Sequence, residues 1–368
     1  MKTGRKIIMI TGGHVTPALA VIDEILSEQL PWDIVFVGRN KAFEGGSYFI
    51  QEQNAVEQKG IRFIPIATGR IQRAFTVHTI TSLIKIPYGI IQAIFIIRKE
   101  KPDAVLSFGG YIAVPIAIAA AMAGIPVITH EQTRRPGLAN RVISLLSTKI
   151  CISFEDTKKF FPDAKTVYTG LPIRKEFFDT TLKNTLSVSY KTHPIIYITG
   201  GSTGSSSINA VIFPLVDRLI TQYTVIHQTG IQSIEKAKVL KRSLPEAIRE
   251  RYVIQDYFNA DTASWIMQKA TLVIGRAGAN TVMELAILNR RAILIPLPWA
   301  GSDEQSDNAV WLTKRGSALI LNQQSATSEK VYESIVQLLQ KPDERRALQN
   351  LPRDGATQVV HLLQRIVD

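Results

Sequence analysis

A histidine directly after two glycines, in Thr11-Gly12-Gly13-His14, is the side chain of this sequence best suited to moving a proton near neutral pH, since an ordinary imidazole titrates at about 6.5. The paired glycines leave room for a ligand to approach the backbone. The same apolar run and Thr-Gly-Gly turn recurs as Ile195-Ile-Tyr-Ile-Thr-Gly-Gly201, followed there by Ser202, Thr203, Gly204 and three serines. Small residues and hydroxyls between a strand and a helix suit a diphosphate. It would be held by backbone amides of Gly200, Gly201, Thr203 and Gly204 and by the helix's positive end, worth roughly half an elementary charge. The loop lacks the Gly-Lys-Ser/Thr ending of a Walker A motif and the spacing of a dinucleotide fingerprint. Read alone, the first turn is equally well explained as a tight turn with a polar plug. The second is the stronger signal, because a strand runs straight into it.

Further turns follow apolar runs. Gly275-Arg-Ala-Gly-Ala-Asn-Thr-Val-Met-Glu284 enters a helix with Glu284 inside it, where a carboxylate can accept from both vicinal hydroxyls of a ribose. Alone, a capping residue or a solvated helix face is the simpler reading. After Pro296-Leu-Pro298, the cluster Ser302-Asp-Glu-Gln-Ser-Asp-Asn308 suits sugar hydroxyls or a plain N-cap. In the first half, Ser107-Phe-Gly-Gly-Tyr111 and Thr129-His-Glu-Gln-Thr133 also stand at strand ends. His130 and Glu131 are expected to be buried and hydrogen-bonded to each other rather than catalytic.

These turns need a scaffold, and the sequence supplies one. Strand-like runs such as Ile34 to Gly38, Asp103 to Phe108, Pro126 to Thr129, Tyr223 to His227, Leu272 to Gly275 and Ala292 to Pro296 alternate with helical patterns. The alternation predicts an α/β fold with parallel sheets covered on both faces. Ligands of such sheets bind beyond the carboxyl ends of the strands, where these turns lie. The pattern weakens between Gly170 and His193 and restarts at Ile195. This divides the chain into a domain over 1–172 and a second over 173–341, with the helical segment 342–368 expected to pack back on the first.

Composition narrows the partners. A net charge of +12 calls for something anionic. No aromatic RNP-like strand, zinc-finger spacing or long Lys/Arg run is present, so phosphates on a small molecule or a lipid are preferred to nucleic acid. The single cysteine, Cys151, has no internal disulfide partner and reads as core filler in a reducing compartment. The apolar stretch Ile7 to Ile10 is too short for a secretory signal. Tyr111 to Ile128 carries no charge, but Pro115, Gly124 and Pro126 divide it into loop, Ala-rich helix and strand rather than a membrane span. Residues 71–101 mix apolar runs with Arg73, Lys85, Arg98, Lys99 and Lys101. They read either as an amphipathic helix resting on an anionic bilayer or as a core helix with a solvated basic end.

Taken together, several motifs resemble, in order and over nearly the whole chain, the MurG family of glycosyltransferase family 28. They are Thr-Gly-Gly-His at 11–14, Phe-Gly-Gly-Tyr at 108–111, His-Glu-Gln at 130–132, Gly-Gly-Ser at 200–202, Arg-Ala-Gly-Ala-Asn-Thr-Val-Met-Glu at 276–284 and Gln305 to Ala309. The resemblance implies a GT-B fold: two Rossmann-like, doubly wound parallel-sheet domains facing a central cleft. The first would receive undecaprenyl-linked lipid I at the cytoplasmic face of the cell membrane, and the second would hold UDP-N-acetylglucosamine. It further implies that Thr11, Gly12, Gly13 and Thr133 reach the donor and that Arg174 and Ser202 contact its phosphate or nucleotide part. Phe258 would touch uracil through its backbone. Ala279, Asn280, Thr281, Val282, Met283 and Glu284 would line the nucleotide, with Glu284 on the ribose, and Gln305 would hold the sugar. This chain has Met9 and Ile10 where the family usually has two more glycines, Thr133 where it usually has Asn, and Glu304 where it often has His or Gln.

The implied reaction is inverting transfer of N-acetylglucosamine to the C4 hydroxyl of the muramoyl sugar. His14 would be the general base, and Arg174 and the Ser202–Ser207 helix end would stabilise the departing diphosphate. No cofactor is implied. A divalent cation is compatible with such a donor, with no metal site identified. Rival expectations are another GT-B enzyme, such as a diacylglycerol glycosyltransferase or a UDP-N-acetylglucosamine 2-epimerase, and a non-catalytic nucleotide-sugar binding protein at the membrane.

Overall fold

The computed structural model describes residues 5–39, 53–67, 77–186, 188, 192–201, 203–298, 304–316, 318–340 and 351–368, with side chains over 77–100 described from 87 onward. The chain forms two compact units, Met1–Arg174 with Pro352–Asp368, and Lys175–Leu351. The change of unit thus falls at 174/175 and 351/352, against 172/173 and 341/342 in the sequence reading.

The first unit carries seven strands: β1 (Lys6–Thr11), β2 (Trp32–Arg39), β3 (Arg62–Ile66), β4 (Ala104–Ser107), β5 (Val127–Glu131), β6 (Lys149–Ile152) and β7 (Thr166–Tyr168). They lie in the order β3-β2-β1-β4-β5-β6-β7, every pair parallel. Strand β1 is apolar at consecutive positions because both its faces are covered. Met9 packs into one core with Ala93 and Ile97 of α2 (Val77–Glu100) and Ile116 of α3 (Ala113–Met122). Ile8 and Ile10 turn to the other face, against Val21 and Ile25 of α1 (Val15–Ser27) and against Val359 and Leu363 of the chain's last helix, Gly355–Val367. Each such side chain contributes roughly 1.5–3 kcal/mol. Met9 and Ile10 are therefore fully buried strand residues, and the turn begins only after Thr11. The last helix is also tied to α1 by the Thr357 hydroxyl, which donates to Glu24 Oε1 (2.7 Å). Helix α4 (Leu138–Leu146) lies beside α3. Residues 111–128 resolve into α3 and the start of β5, and among the described residues no helix is long and apolar enough to cross a membrane.

The second unit carries β8 (Ile195–Thr199), β9 (Thr224–Gln228), β10 (Tyr252–Gln255), β11 (Ala270–Gly275), β12 (Arg291–Leu294) and β13 (Ala318–Ile320). Their order is β10-β9-β8-β11-β12-β13, again all parallel. Helices α5 (Ser206–Ile212), α6 (Val216–Ile220), α7 (Ile234–Ser243), α8 (Glu246–Arg249), α9 (Ala260–Lys269), α10 (Ala279–Ile287) and α11 (Glu304–Thr313) connect the strands, and α12 (Ser328–Gln340) follows the last of them. Ile196, Ile198, Leu272, Ile274 and Ile293 of the sheet pack with Ile208, Leu219 and Ile335 of the helices.

In each sheet the strand order reverses once, between β1 and β4 and between β8 and β11. Such a switch point opens a crevice beyond the strand ends, because the two connections leave in opposite directions. The turns after these four strands are those that carry the sequence motifs: Gly12–His14, Phe108–Tyr111, Gly200 and Gly201 with Thr203 to Ser205, and Arg276–Gly278.

Candidate active site

In the first unit the two switch-point turns are zipped together. Phe108 N–H donates to Thr11 O (2.7 Å) and Gly13 N–H to Gly109 O (2.9 Å). Gly12 permits this approach: its φ is +153°, and a Cβ there would stand 2.8 Å from that of Phe108. His14, exposed at the N-cap of α1, places Nδ1 3.1 Å from the Phe108 carbonyl. A carbonyl only accepts, so Nδ1 carries the hydrogen and Nε2 keeps its lone pair. Arg39, the last residue of β2, brings a cation to the same turn. Its guanidinium carbon lies 5.4 Å from the Tyr111 ring centroid, and its Nη2 borders Gly13.

Beneath these turns, Glu131 is buried. Its Oε1 accepts from Thr133 N–H (2.8 Å) and its Oε2 from Asn140 Nδ2 (2.8 Å). Burial pushes this carboxyl's pKa up, and the bonds from Thr133 and Asn140 pull it back. His130 donates from Nε2 to Gly170 O (3.0 Å), and burial lowers its pKa to about 4. It is a neutral structural ring. The expected bond between His130 and Glu131 is not made, because successive residues of β5 point to opposite faces of the sheet. Thr133 is buried, and its Oγ1 lies 2.7 Å from both Glu131 Oε1 and the Arg135 carbonyl. It shapes the turn, and its hydroxyl is committed within this unit.

In the second unit the glycine-rich turn closes on itself. Gly201 N–H donates to Thr199 Oγ1 (3.1 Å), Gly204 N–H to Gly201 O (3.1 Å), and Gln228 Nε2 to the same carbonyl (2.8 Å). Gln228 Oε1 accepts from Phe258 N–H (3.1 Å). Gly204, at φ +76°, sits so close to Thr229 that a Cβ would meet its carbonyl at 2.4 Å, whereas Gly201, at φ +84°, has open space. Arg276, buried at the head of the β11 turn, donates to Ile295 O (2.7 Å), Ser205 Oγ (2.7 Å) and Ser207 Oγ (2.6 Å). Burial lowers its pKa, yet a guanidinium stays charged. Among the described residues no carboxylate pairs with it. A desolvated cation with neutral partners, beside a glycine turn, asks for an anion.

The remaining candidates sort by helical face. Asn280, Thr281 and Glu284 of α10 are half-buried on its outer side, while Ala279, Val282 and Met283 are buried. The last two are core residues, and the Val282 N–H donates to Gly278 O (2.9 Å). Phe258 is buried edge-on to Tyr197, and its N–H is taken by Gln228 Oε1. Gln305 Oε1 accepts from Leu297 N–H (3.0 Å), holding the turn after β12. Arg174 is half-buried at the end of the first unit's main segment. Ser202, Ser302 and Asp303 lie outside the described residues. Arg39, Arg276 and Gln228 were missed as individual site residues. Arg276 stood inside a recognised motif, and Gln228 ends a strand, but their partners are distant in sequence. Among the described residues no group of three or more His, Cys, Asp or Glu could hold a metal ion.

Residues 9–152 match the glycosyltransferase family 28 N-terminal domain, and residues 195–362 match the family 28 C-terminal domain. Among solved structures the chain is similar to MurG of Acinetobacter baumannii, with a TM-score of 0.69 and 28% identity over 98% of this chain and 99% of that one. A UDP-GlcNAc 2-epimerase of Neisseria meningitidis gives a TM-score of 0.68 at 14% identity, covering 98% of this chain and 100% of that one, a likeness of fold alone. The architecture is GT-B, two Rossmann-like domains in tandem. Two curated relatives bear the name UDP-N-acetylglucosamine–N-acetylmuramyl-(pentapeptide) pyrophosphoryl-undecaprenol N-acetylglucosamine transferase. That of Clostridium kluyveri is 35% identical over 342 residues, 91% of each chain; that of Clostridium novyi is 32% identical over 372 aligned residues, 99% of this chain and 98% of the relative. The chain belongs to glycosyltransferase family 28.

Proposed function

We propose that the protein transfers N-acetylglucosamine from UDP-N-acetylglucosamine to the C4 hydroxyl of the N-acetylmuramoyl sugar of undecaprenyl-linked lipid I, forming lipid II for peptidoglycan. The names of the relatives support the substrates. The observation that carries the chemistry is His14, whose Nδ1–H is tied to Phe108 O so that Nε2 can accept a proton. In this reading Nε2 takes the hydroxyl proton as O4 bonds to C1 from the face opposite the leaving group. The C1–O bond breaks with its electron pair passing to UDP, and the linkage inverts to β-1,4. The 200–204 turn, Arg276 and Arg174 stabilise the charge left on the diphosphate. Glu284 binds the ribose and Gln305 orients the sugar turn. Arg39, beside Gly13, suits the diphosphate of the acceptor.

Peripheral attachment to an anionic membrane belongs to the same proposal. Tyr88, Ile91 and Phe95 of α2 recur at helical spacing and are exposed, Phe95 at 66%, with exposed Arg98 and Lys99 one turn on. Met122 of α3 and Leu145 of α4, 78% exposed, extend the apolar surface on adjoining helices. A face of this kind suits the headgroup boundary. Ile91→Glu with Phe95→Glu is expected to abolish flotation with phosphatidylglycerol vesicles; unchanged flotation contradicts it. Ile94, half-buried on the core side, is not a clean probe.

Radiolabelled UDP-N-acetylglucosamine with a lipid I analogue tests the reaction. The expected product is a β-linked disaccharide lipid. Conversion of the donor without any lipid would favour an epimerase, and donor binding without transfer would favour a non-catalytic binding protein.

A further inference from the structure

We propose that Gln132 and Ser107 are positioning residues that hold the Phe108–Gly109 peptide plane, and through it fix the tautomer and direction of the His14 ring. The proposal rests on His14 being the base. The Phe108 carbonyl receives two donors, His14 Nδ1 at 3.1 Å and Gln132 Nε2 at 3.3 Å. The N–H of the same peptide, on Gly109, donates to Ser107 Oγ at 3.1 Å. The plane is thus pinned at both ends.

The pins matter because this peptide leads into two glycines. Gly109 and Gly110 both have positive φ, +71° and +80°, and glycine crosses between φ regions at little cost. A peptide preceding two glycines is free to rotate unless its polar ends are held. Rotation would swing the carbonyl away and turn the Gly109 N–H towards His14. Nδ1 would then accept, the proton would sit on Nε2, and the outward lone pair would be lost.

Gln132 is suited to the task. Its Nε2 also donates to His130 O (3.0 Å), and two carbonyls can be met only by the amide's NH2 end, which settles its orientation. The side chain therefore links the end of β5 to the turn after β4. Its Oε1 is buried and meets no protein donor among the described residues. An unpaired buried acceptor is unfavourable, so the value of this side chain lies at its donor end. A second donor on the carbonyl does not strengthen the bond from His14; it aims the acceptor.

The test uses the full chain labelled with ¹⁵N-histidine, with the ring signals of His14 identified by their loss in His14→Gln. Long-range ¹H–¹⁵N correlation above the imidazole titration is expected to show Nδ1 protonated and Nε2 bare. Gln132→Met keeps the length of the side chain without its donor. It is expected to shift His14 towards the Nε2–H tautomer and to lower kcat roughly 10-fold, leaving the KM for UDP-N-acetylglucosamine within about twofold. Ser107→Ala should move both readouts the same way, by about threefold in kcat. Wild-type tautomer and kcat in both variants would overturn the proposal; should Gln132→Met fail to fold, Ser107→Ala decides alone. The base assignment fails separately, if His14→Gln keeps wild-type kcat, and the tautomer measurement still reads the peptide clamp in that event.

Discussion

The chain contains the same strand and Thr-Gly-Gly turn twice, and the two copies are built for different work. After β1, Gly12 is pressed against the neighbouring turn, two backbone bonds zip the turns together, and the side chain of His14 is aimed by a carbonyl. After β8 the turn closes on its own atoms, Gly201 has empty space beside it, and the neighbouring turn sends in the Arg276 guanidinium. The threonines differ too. Thr199 Oγ1 accepts from Gly201 N–H, whereas Thr11 Oγ1 is buried without a hydrogen-bond partner among the described residues. One motif thus yields a braced side chain in the first unit and, in the second, a turn bonded to itself, with open space beside Gly201 and the Arg276 guanidinium behind it. What a glycine turn does depends on what its switch-point neighbour brings.

The sharpest break of this comparison is in rate. His14→Ala is expected to lower kcat about 10³-fold while a lipid I analogue still binds, as measured by single-turnover transfer. Next is backbone stability. Gly204→Ala combines a left-handed φ with an overlap on Thr229 O and should cost about 3 kcal/mol in denaturant unfolding, whereas Gly201→Ala meets no atom and should cost about 1 kcal/mol. Equal costs would mean that the second turn is not packed as described. Acid should separate the units more gently. His130 and His227 titrate at about 4 and about 3 in the folded protein because burial disfavours the cation. Both pKa values lie below the unfolded value of about 6.5, so the unfolded chain binds the proton first. Stability is therefore retained above about pH 6.5 and lost as pH falls, by about 2 kcal/mol per histidine at pH 5. Glu131 acts oppositely, since its raised pKa favours the protonated folded form as acid is added. Hydrogen exchange from pH 7 to 5 is expected to show the core of the second unit losing more protection than that of the first.

The sheets were legible because a strand buried on both faces must be apolar at consecutive positions, as Ile195 to Ile198 are. The turns were legible because Gly-rich segments between a strand and a helix are rare and purposeful. Pairing across the fold was not. Gln228 reads as any strand-end residue until its amide is seen to join Gly201 to Phe258, and Arg276 reads as motif filler until its partners prove to be hydroxyls some 70 residues away. The bond assumed between His130 and Glu131 ignored strand alternation, a rule the sequence already contained. Thr133 and Met283 show that side chains within a motif also serve folding, the one bonded to Glu131 and the other buried in the core.

The division of labour between the two turns is tested most directly by UDP affinity, measured by titration calorimetry on wild type, His14→Ala and Arg276→Met. His14→Ala should bind UDP within about twofold of wild type, and Arg276→Met about 10- to 100-fold more weakly, as expected for a lost charge-assisted contact. UDP binding that falls equally in both variants, or is untouched in Arg276→Met, would contradict the assignment of proton transfer to the first turn and diphosphate binding to the second.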